Sequence, residues 1–288
     1  MLSIQDLLVG LETPDAGAAP LDEAVLLART FGARVRLAHV LADVAPDDDA
    51  APALVRRTQE HLERLAAELE RDGVQVVRPH LVAAGRHPGR ALLTWTADLA
   101  PDLVVIGAST RTPFDRLRFG STAEGVVRGS TRPVWVARGI TTDGPRRIVV
   151  AVDGSPPAAA ALAASAMLAR TFVAELRPLS VLPRLDGPLV LTPNPPIPLA
   201  RRASRAFKAA LGRIDLHGIP HSSVRRQGRP AAQMLLAAEE LDADLLILGS
   251  ARRAGLARHV RPNTAERLLR RAPCSVLVVP AEAAASPG

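Results

Sequence analysis

Two glycine-bearing segments carry the residue types that could cradle an anion. Gly107, Ser109 and Thr110 close an aliphatic run, and nine residues separate them from Gly120-Ser121-Thr122. Glycine lets a backbone approach a ligand closely, so that neighbouring amides can point at phosphate oxygens. Gly120-Ser121-Thr122 stands where a helix should open, and the first amides and partial positive charge of a helix favour an anion. Ser121 and Thr122 would add hydroxyl donors. Taken singly, Gly107 reads as a strand end and Ser121 as a helix cap; only their joint placement at strand ends favours binding. The pattern recurs in altered form 142 residues later, where Gly249 is followed by Arg252, Pro262, Asn263 and Thr264. Proline has no amide to donate, and Arg252 would either fill the phosphate space or clamp a phosphate from the side. The second segment is therefore the degenerate one, and Gly249→Val is expected to change anion binding by the chain little.

Other chemistry finds little support. There is no Gly-x4-Gly-Lys-Ser/Thr phosphate loop, no His-Glu-x2-His pair and only one cysteine, Cys274, which reads as an inert buried thiol. His217 and His221 are four apart, but Gly218 and Pro220 break the helix that would align them. His39, at the end of an aliphatic run, reads as a structural histidine, and Asp47-Asp48-Asp49 as a solvated loop. No nucleophile and base can be paired, so neither a catalytic residue nor a metal centre is expected, and the chain should bind without turning over.

These segments sit in a repeat. Ala28-Arg29-Thr30-Phe31 returns 141 residues later as Ala169-Arg170-Thr171-Phe172; 101–107 aligns with 243–249, and 121–124 with 263–266, at an offset of 142. Two domains follow, 1–140 and 146–288, joined by a Gly-, Thr- and Pro-containing linker. Aliphatic runs at 7–11, 35–40, 74–77, 103–106 and 134–137, and again at 148–152, 176–181, near Val224, 245–248 and 276–279, are apolar on consecutive residues. That marks strands covered on both faces, as in a parallel sheet. Between them Leu54, Thr58, Leu62, Leu65 and Leu69, and Leu199, Ala203, Ala206, Phe207, Ala210, Leu211 and Ile214, keep helical spacing. The expected fold is α/β, with two doubly wound five-stranded parallel sheets in tandem. Ligands of such sheets bind at the carboxyl ends of the strands, where the glycine segments fall. Residues 183–198 hold six prolines and are expected to form a long surface loop.

Composition sets bounds. The 288 residues are 48% hydrophobic with five Phe, two Trp and no Tyr, so aliphatic side chains must fill the core. No run reaches the roughly 18–20 apolar residues of a membrane helix, and the N-terminus lacks a basic leader. With a single cysteine, a reducing cytoplasm is expected. The net charge of +7 is uneven: residues 1–140 carry 16 Arg against 18 acids, whereas 146–288 carry 19 Arg and one Lys against 10.

The spacing Gly-x2-(Thr110)-x9-Gly-Ser, the opening Ile148-Val149-Val150-Ala151-Val152-Asp153-Gly154-Ser155, His39-Val40, Gly85-x2-Pro88 and Ala272-Pro273-Cys274 resemble the universal stress protein family, and the chain is similar to its tandem members. The resemblance implies sheets of order 3-2-1-4-5, pairing through the fifth strand (a homodimer among the possibilities) and, in some members, bound ATP. It places a first site on Gly10, Leu11, Glu12, Val40, Ile106, Gly107, Ser109, Thr110, Gly120, Ser121 and Thr122. Glu12 stands for the family's Asp, and Thr110 for its second glycine, a strained choice if φ is positive there. A second site falls on Asp153, Val181, Gly249, Arg252, Asn263 and Thr264. The resemblance thus points to a cytoplasmic stress-response protein holding ATP or another adenine nucleotide, with or without Mg, mainly in the first domain. Two alternatives stay open: a nucleotide-free scaffold acting through partners, or polyanion binding by the basic second domain through Arg252, Arg253, Arg258, Arg261, Arg267, Arg270 and Arg271. For the last, stacking aromatics and a known nucleic-acid motif are lacking, so nucleic acid is not the expected partner.

Overall fold

The computed structural model describes residues 4–11, 19–42, 44, 49–78, 80–84, 87–108, 121–182, 197–251 and 264–281. The chain divides into two compact units, Ser3–Gly144 and Pro145–Gly288, the second also including Met1–Leu2.

In the first unit β1 (Asp6–Leu11), β2 (Arg34–Leu41), β3 (Gln75–Val76), β4 (Leu81–Ala84), β5 (Leu103–Gly107) and β6 (Val134–Ala137) alternate with α1 (Ala19–Phe31), α2 (Ala51–Arg71), α3 (Pro88–Leu99) and α4 (Ser121–Gly129). The strands are parallel in the order β3-β2-β1-β5-β6, with β4 also paired to β2. β3 and β4 are thus one interrupted third strand, and the order is the expected 3-2-1-4-5. The break falls at His80, whose ring is buried with neither nitrogen hydrogen-bonded, 3.7 Å from the Glu63 carboxylate. Arg78 beside it binds both Glu63 and Glu70 of α2.

The second unit repeats the plan with β7 (Arg147–Ala151), α5 (Pro156–Phe172), β8 (Glu175–Leu182), α6 (Ile197–Leu211), β9 (Val224–Gln227), α7 (Pro230–Glu240), β10 (Leu245–Ser250), α8 (Thr264–Arg271) and β11 (Ser275–Pro280). Its order is β9-β8-β7-β10-β11, again parallel. Consecutive residues such as Val104, Val105 and Ile106, or Leu245, Leu246 and Ile247, are at most 3% exposed. Both faces of each central strand are therefore covered, which is why its sequence does not alternate.

The repeat also carries a shared fastening. Asp102 Oδ2 accepts the Gln5 and Asp6 amides at 2.8 and 3.2 Å, and Asp244 Oδ2 accepts those of Arg146 and Arg147 at 2.9 and 2.8 Å. In each unit the Asp preceding the fourth strand thereby fixes the start of the first, which sets where both strands end.

Candidate functional site

In the first unit five of the residues expected at the site, Gly10, Leu11, Val40, Ile106 and Gly107, lie at one end of the sheet. Gly10 and Leu11 end β1, Val40 lies in the last turnless stretch of β2, and Ile106 and Gly107 end β5; Gly10 pairs with Ile106 across the central strands. Leu11, Val40 and Ile106 are buried, at 6, 7 and 3%. Their side chains are largely taken up by the core, which leaves mainly backbone to meet a ligand there. A Cβ at Gly10 would lie 3.1 Å from Ile106 Cγ2 and 3.2 Å from Leu92 of α3. Gly10 is thus required by helix-on-strand packing. Glu12, Ser109, Thr110 and Gly120 lie outside the described residues.

Ser121 begins α4, and Thr122 follows it half-buried. The first amides of a helix have no intrahelical acceptor, so α4 brings this donor set to the unit. Its position is set by α3. A Cβ on Gly89 would approach the Thr122 carbonyl oxygen at 3.1 Å, and one on Gly129 would approach Leu93 Cδ1 at 2.5 Å. These two glycines let the helices lie against each other. Pro88, at the start of α3, occupies a position whose amide is not needed for the helix ladder.

His39 is 4% exposed and its Nδ1 lies 3.0 Å from the Leu11 carbonyl oxygen. A carbonyl only accepts, so Nδ1 carries the proton in this contact. Burial pushes the imidazole below its ordinary value of 6.5. His39 is a neutral strut tying β1 to β2 just before Glu12, in line with its structural reading.

A second strut was not legible in advance. Glu23 of α1 is 1% exposed, and its Oε2 accepts the Trp135 indole N–H at 2.5 Å. Its Oε1 accepts the amides of Arg138, Gly139 and Ile140 at 3.1, 2.7 and 3.1 Å. Gly139, at φ +99°, allows three successive amides to converge on one oxygen. A single Glu in an apolar helix face gives no sign of this at sequence level, because its partners lie more than 110 residues away.

The second unit meets the same geometry differently. Asp153 is exposed, and its Oδ1 accepts the Ser155 amide at 2.9 Å. Ser155 Oγ in turn accepts the Ala158 amide at 3.3 Å, capping α5. Pro156 and Pro157 fill the first two positions of α5. With two prolines and one capped amide, this helix start has few donors left for an anion. A Cβ on Gly249 would lie 2.2 Å from the Pro157 carbonyl carbon and oxygen, so α5 begins directly against the end of β10. At Gly107 the nearest contact among the described residues is Pro20 Cγ at 3.5 Å. Gly249 is a packing glycine, and Gly249→Val would disturb the fold of the second unit rather than pass unnoticed. Val181 is half-buried in β8 and Thr264 is exposed at the start of α8. Arg252, Pro262 and Asn263 lie outside the described residues. Beside Gly154 a cavity of about 160 Å³ is lined by Ala159, Ala206, Ala210, Arg213 and Ile214. That is below the ~300–1,000 Å³ of ordinary small-molecule sites.

Among the described residues no group of three or more His, Cys, Asp or Glu could hold a metal, and no helix is long and apolar enough to cross a membrane.

The model of the universal stress protein family matches residues 3–138 and again 144–280. The chain belongs to the universal stress protein family, as a tandem of two such domains. The fold agrees: a universal stress protein from Archaeoglobus fulgidus DSM 4304, 20% identical, superposes with a TM-score of 0.72 over 97% of this chain and 98% of that one. A protein of the family from Burkholderia pseudomallei, 30% identical, covers 47% of this chain and 96% of its own with a TM-score of 0.37. A universal stress protein solved in complex with cAMP, 21% identical, covers 48% of this chain and 98% of its own with a TM-score of 0.35. None of the curated proteins matches the chain.

Proposed function

We propose that this universal stress protein is a non-catalytic binder of ATP or a related adenine nucleotide, held in the first unit and serving a cytoplasmic stress response. The observation that carries the reading is the alignment of the β1, β2 and β5 ends at one end of the first sheet beside α3, whose Leu92 lies against Gly10 and whose Gly89 lies against Thr122 at the start of α4, where Ser121-Thr122 follow a glycine in sequence. Backbone at Leu11 and Val40 would face the base and sugar, and Gly107 with the start of α4 would face the phosphates. Mg would accompany the triphosphate if it binds there. The second unit would be empty or altered, since α5 starts on two prolines and crowds Gly249. Pairing through the fifth strands, including homodimerisation, belongs to the same reading.

The test is mass spectrometry of small molecules released from denatured purified protein, followed by calorimetry with ATP, AMP and cAMP. Roughly one strong site per chain is expected. Gly120→Pro should abolish it, because loss of a charge-assisted amide contact costs ~1.5–3 kcal/mol, about ten- to hundred-fold in affinity. Unchanged binding by Gly120→Pro would overturn the assignment.

A further inference from the structure

The repeat supplies an internal control for the charge on one helix. α2 and α6 hold the same place in their units, between the second and third strands. α2 balances Arg56, Arg57, Arg64 and Arg71 with Glu60, Glu63, Glu68 and Glu70. α6 has Arg201, Arg202, Arg205 and Lys208, the only lysine of the chain, and no acid at all.

All four cations of α6 are exposed, and none has an ion-pair or hydrogen-bond partner among the described residues. Arg201, Arg205 and Lys208 stand four and three residues apart, so they form one stripe about 10 Å long at 1.5 Å per residue; Arg202 flanks it. Like charges at these spacings destabilise a helix, and among the described residues no acid is paired with them to offset that repulsion. Arg225 of β9 extends the face. Its guanidinium lies 5.6 Å from the Phe207 ring centroid and its Nη1 donates to Ser204 Oγ at 3.3 Å.

The other side of α6 is committed to the core, with Phe207 1% and Ala210 9% exposed. An interfacial membrane helix needs its apolar face free for the lipid, and this one is not. What remains outward is guanidinium and ammonium, groups suited to phosphate oxygens spaced along a strand. We propose that the α6 face, Arg201, Arg202, Arg205, Lys208 and Arg225, docks on the phosphate backbone of a nucleic acid, independently of base sequence. No exposed aromatic accompanies these cations among the described residues, so contacts are to phosphate and not to stacked bases. This face is distinct from the 252–271 cluster, of which Arg252, Arg253, Arg258 and Arg261 lie outside the described residues, and it stands independently of nucleotide binding in the first unit.

The experiment is fluorescence anisotropy of a labelled mixed-sequence oligonucleotide, single-stranded and duplex, with the full chain. With about four phosphate contacts, affinity should fall roughly a hundredfold from 50 to 200 mM salt. Arg201→Gln/Arg205→Gln/Lys208→Gln should weaken binding at least about tenfold at low salt and flatten the salt slope, since each lost phosphate contact removes one released counterion. Arg56→Gln/Arg57→Gln/Arg64→Gln on α2 should leave binding unchanged. Sedimentation with phosphatidylserine vesicles completes the set. The proposal is overturned if the wild-type chain does not bind at low salt, if the two variants lose equally, if loss follows Arg267→Gln/Arg270→Gln/Arg271→Gln instead, or if α6-dependent binding is confined to vesicles.

Discussion

The two units share one strand order but solve the join between strand ends and helix starts in opposite ways. In the first, the contact nearest to Gly107 among the described residues is the ring of Pro20, and a neutral histidine and a buried glutamate hold the strand ends from within. In the second, the backbone of α5 is pressed onto Gly249, and Ala164 and Leu277 stand where Glu23 and Trp135 stand in the first. A duplicated fold can therefore keep its topology while the ends of its strands specialise. One copy holds its strand ends with polar struts, and in the other a helix start packs directly onto the end of β10.

The sharpest way to break the comparison is at the paired glycines. Gly249→Ala should destabilise the second unit by about 3 kcal/mol or more, because backbone atoms cannot yield to a Cβ as side-chain ends can. Gly107→Ala, against a proline ring at contact distance, should cost under about 1 kcal/mol. Denaturant midpoints of the two variants measure this, and equal losses would refute it.

Next in size is the Glu23 clamp. Glu23→Ala strands a buried indole N–H and three amides, so a loss of about 2–4 kcal/mol is expected. Both tryptophans, Trp95 and Trp135, belong to the first unit. Fluorescence therefore reports that unit alone, and a red-shifted emission in Glu23→Ala would show Trp135 meeting water. Unshifted emission with unchanged stability would mean the contacts are not formed.

A smaller effect, of opposite sign, is expected where the repeat changes a helix end. Gly32 after α1 has φ +66°, and its counterpart Val173 after α5 has φ +53° while 85% exposed. A β-branched residue in the left-handed region is strained by roughly 1–2 kcal/mol. Val173→Gly should stabilise the second unit by about 1 kcal/mol, part of the relief being lost to the greater freedom of glycine in the unfolded chain. A destabilised Val173→Gly would contradict the comparison.

The least pronounced difference concerns pH. His39 and His80 are both held below their ordinary value of 6.5, chiefly by burial. As pH falls below about 6.5 the unfolded chain takes up these protons before the folded one does. Their contribution is full above that pH and is lost on acidification toward the depressed folded values. His39→Gln/His80→Gln should flatten the acid side of the stability profile. An unaltered slope would show that the two rings titrate alike in both states.

Much of this was legible in the sequence, for physical reasons. Strands buried on both faces must be aliphatic on consecutive residues, so β1, β5, β6, β10 and β11 were found within a residue or two. The helical stripes of α2 and α6 were visible because one face of each meets the sheet. The interruption between β3 and β4 was not, since the partners that Arg78 and His80 meet there, Glu63 and Glu70, lie on α2 and not beside them in sequence. Gly249 looked like a remnant of a ligand loop because sequence shows that a glycine is present and not what approaches it. Asp102 and Asp244 stood out as repeated residues, but their role as acceptors for the first strand's amides depends on partners nearly 100 residues away.

The central claim is that nucleotide belongs to the first unit and not to the second. Hydrogen exchange of the full chain with and without saturating ATP tests it directly, since each peptide reports its own unit. The account predicts added protection at 103–108 and 121–125, with no change at 245–251 and 264–268. Protection in the second unit, or in both alike, would contradict it.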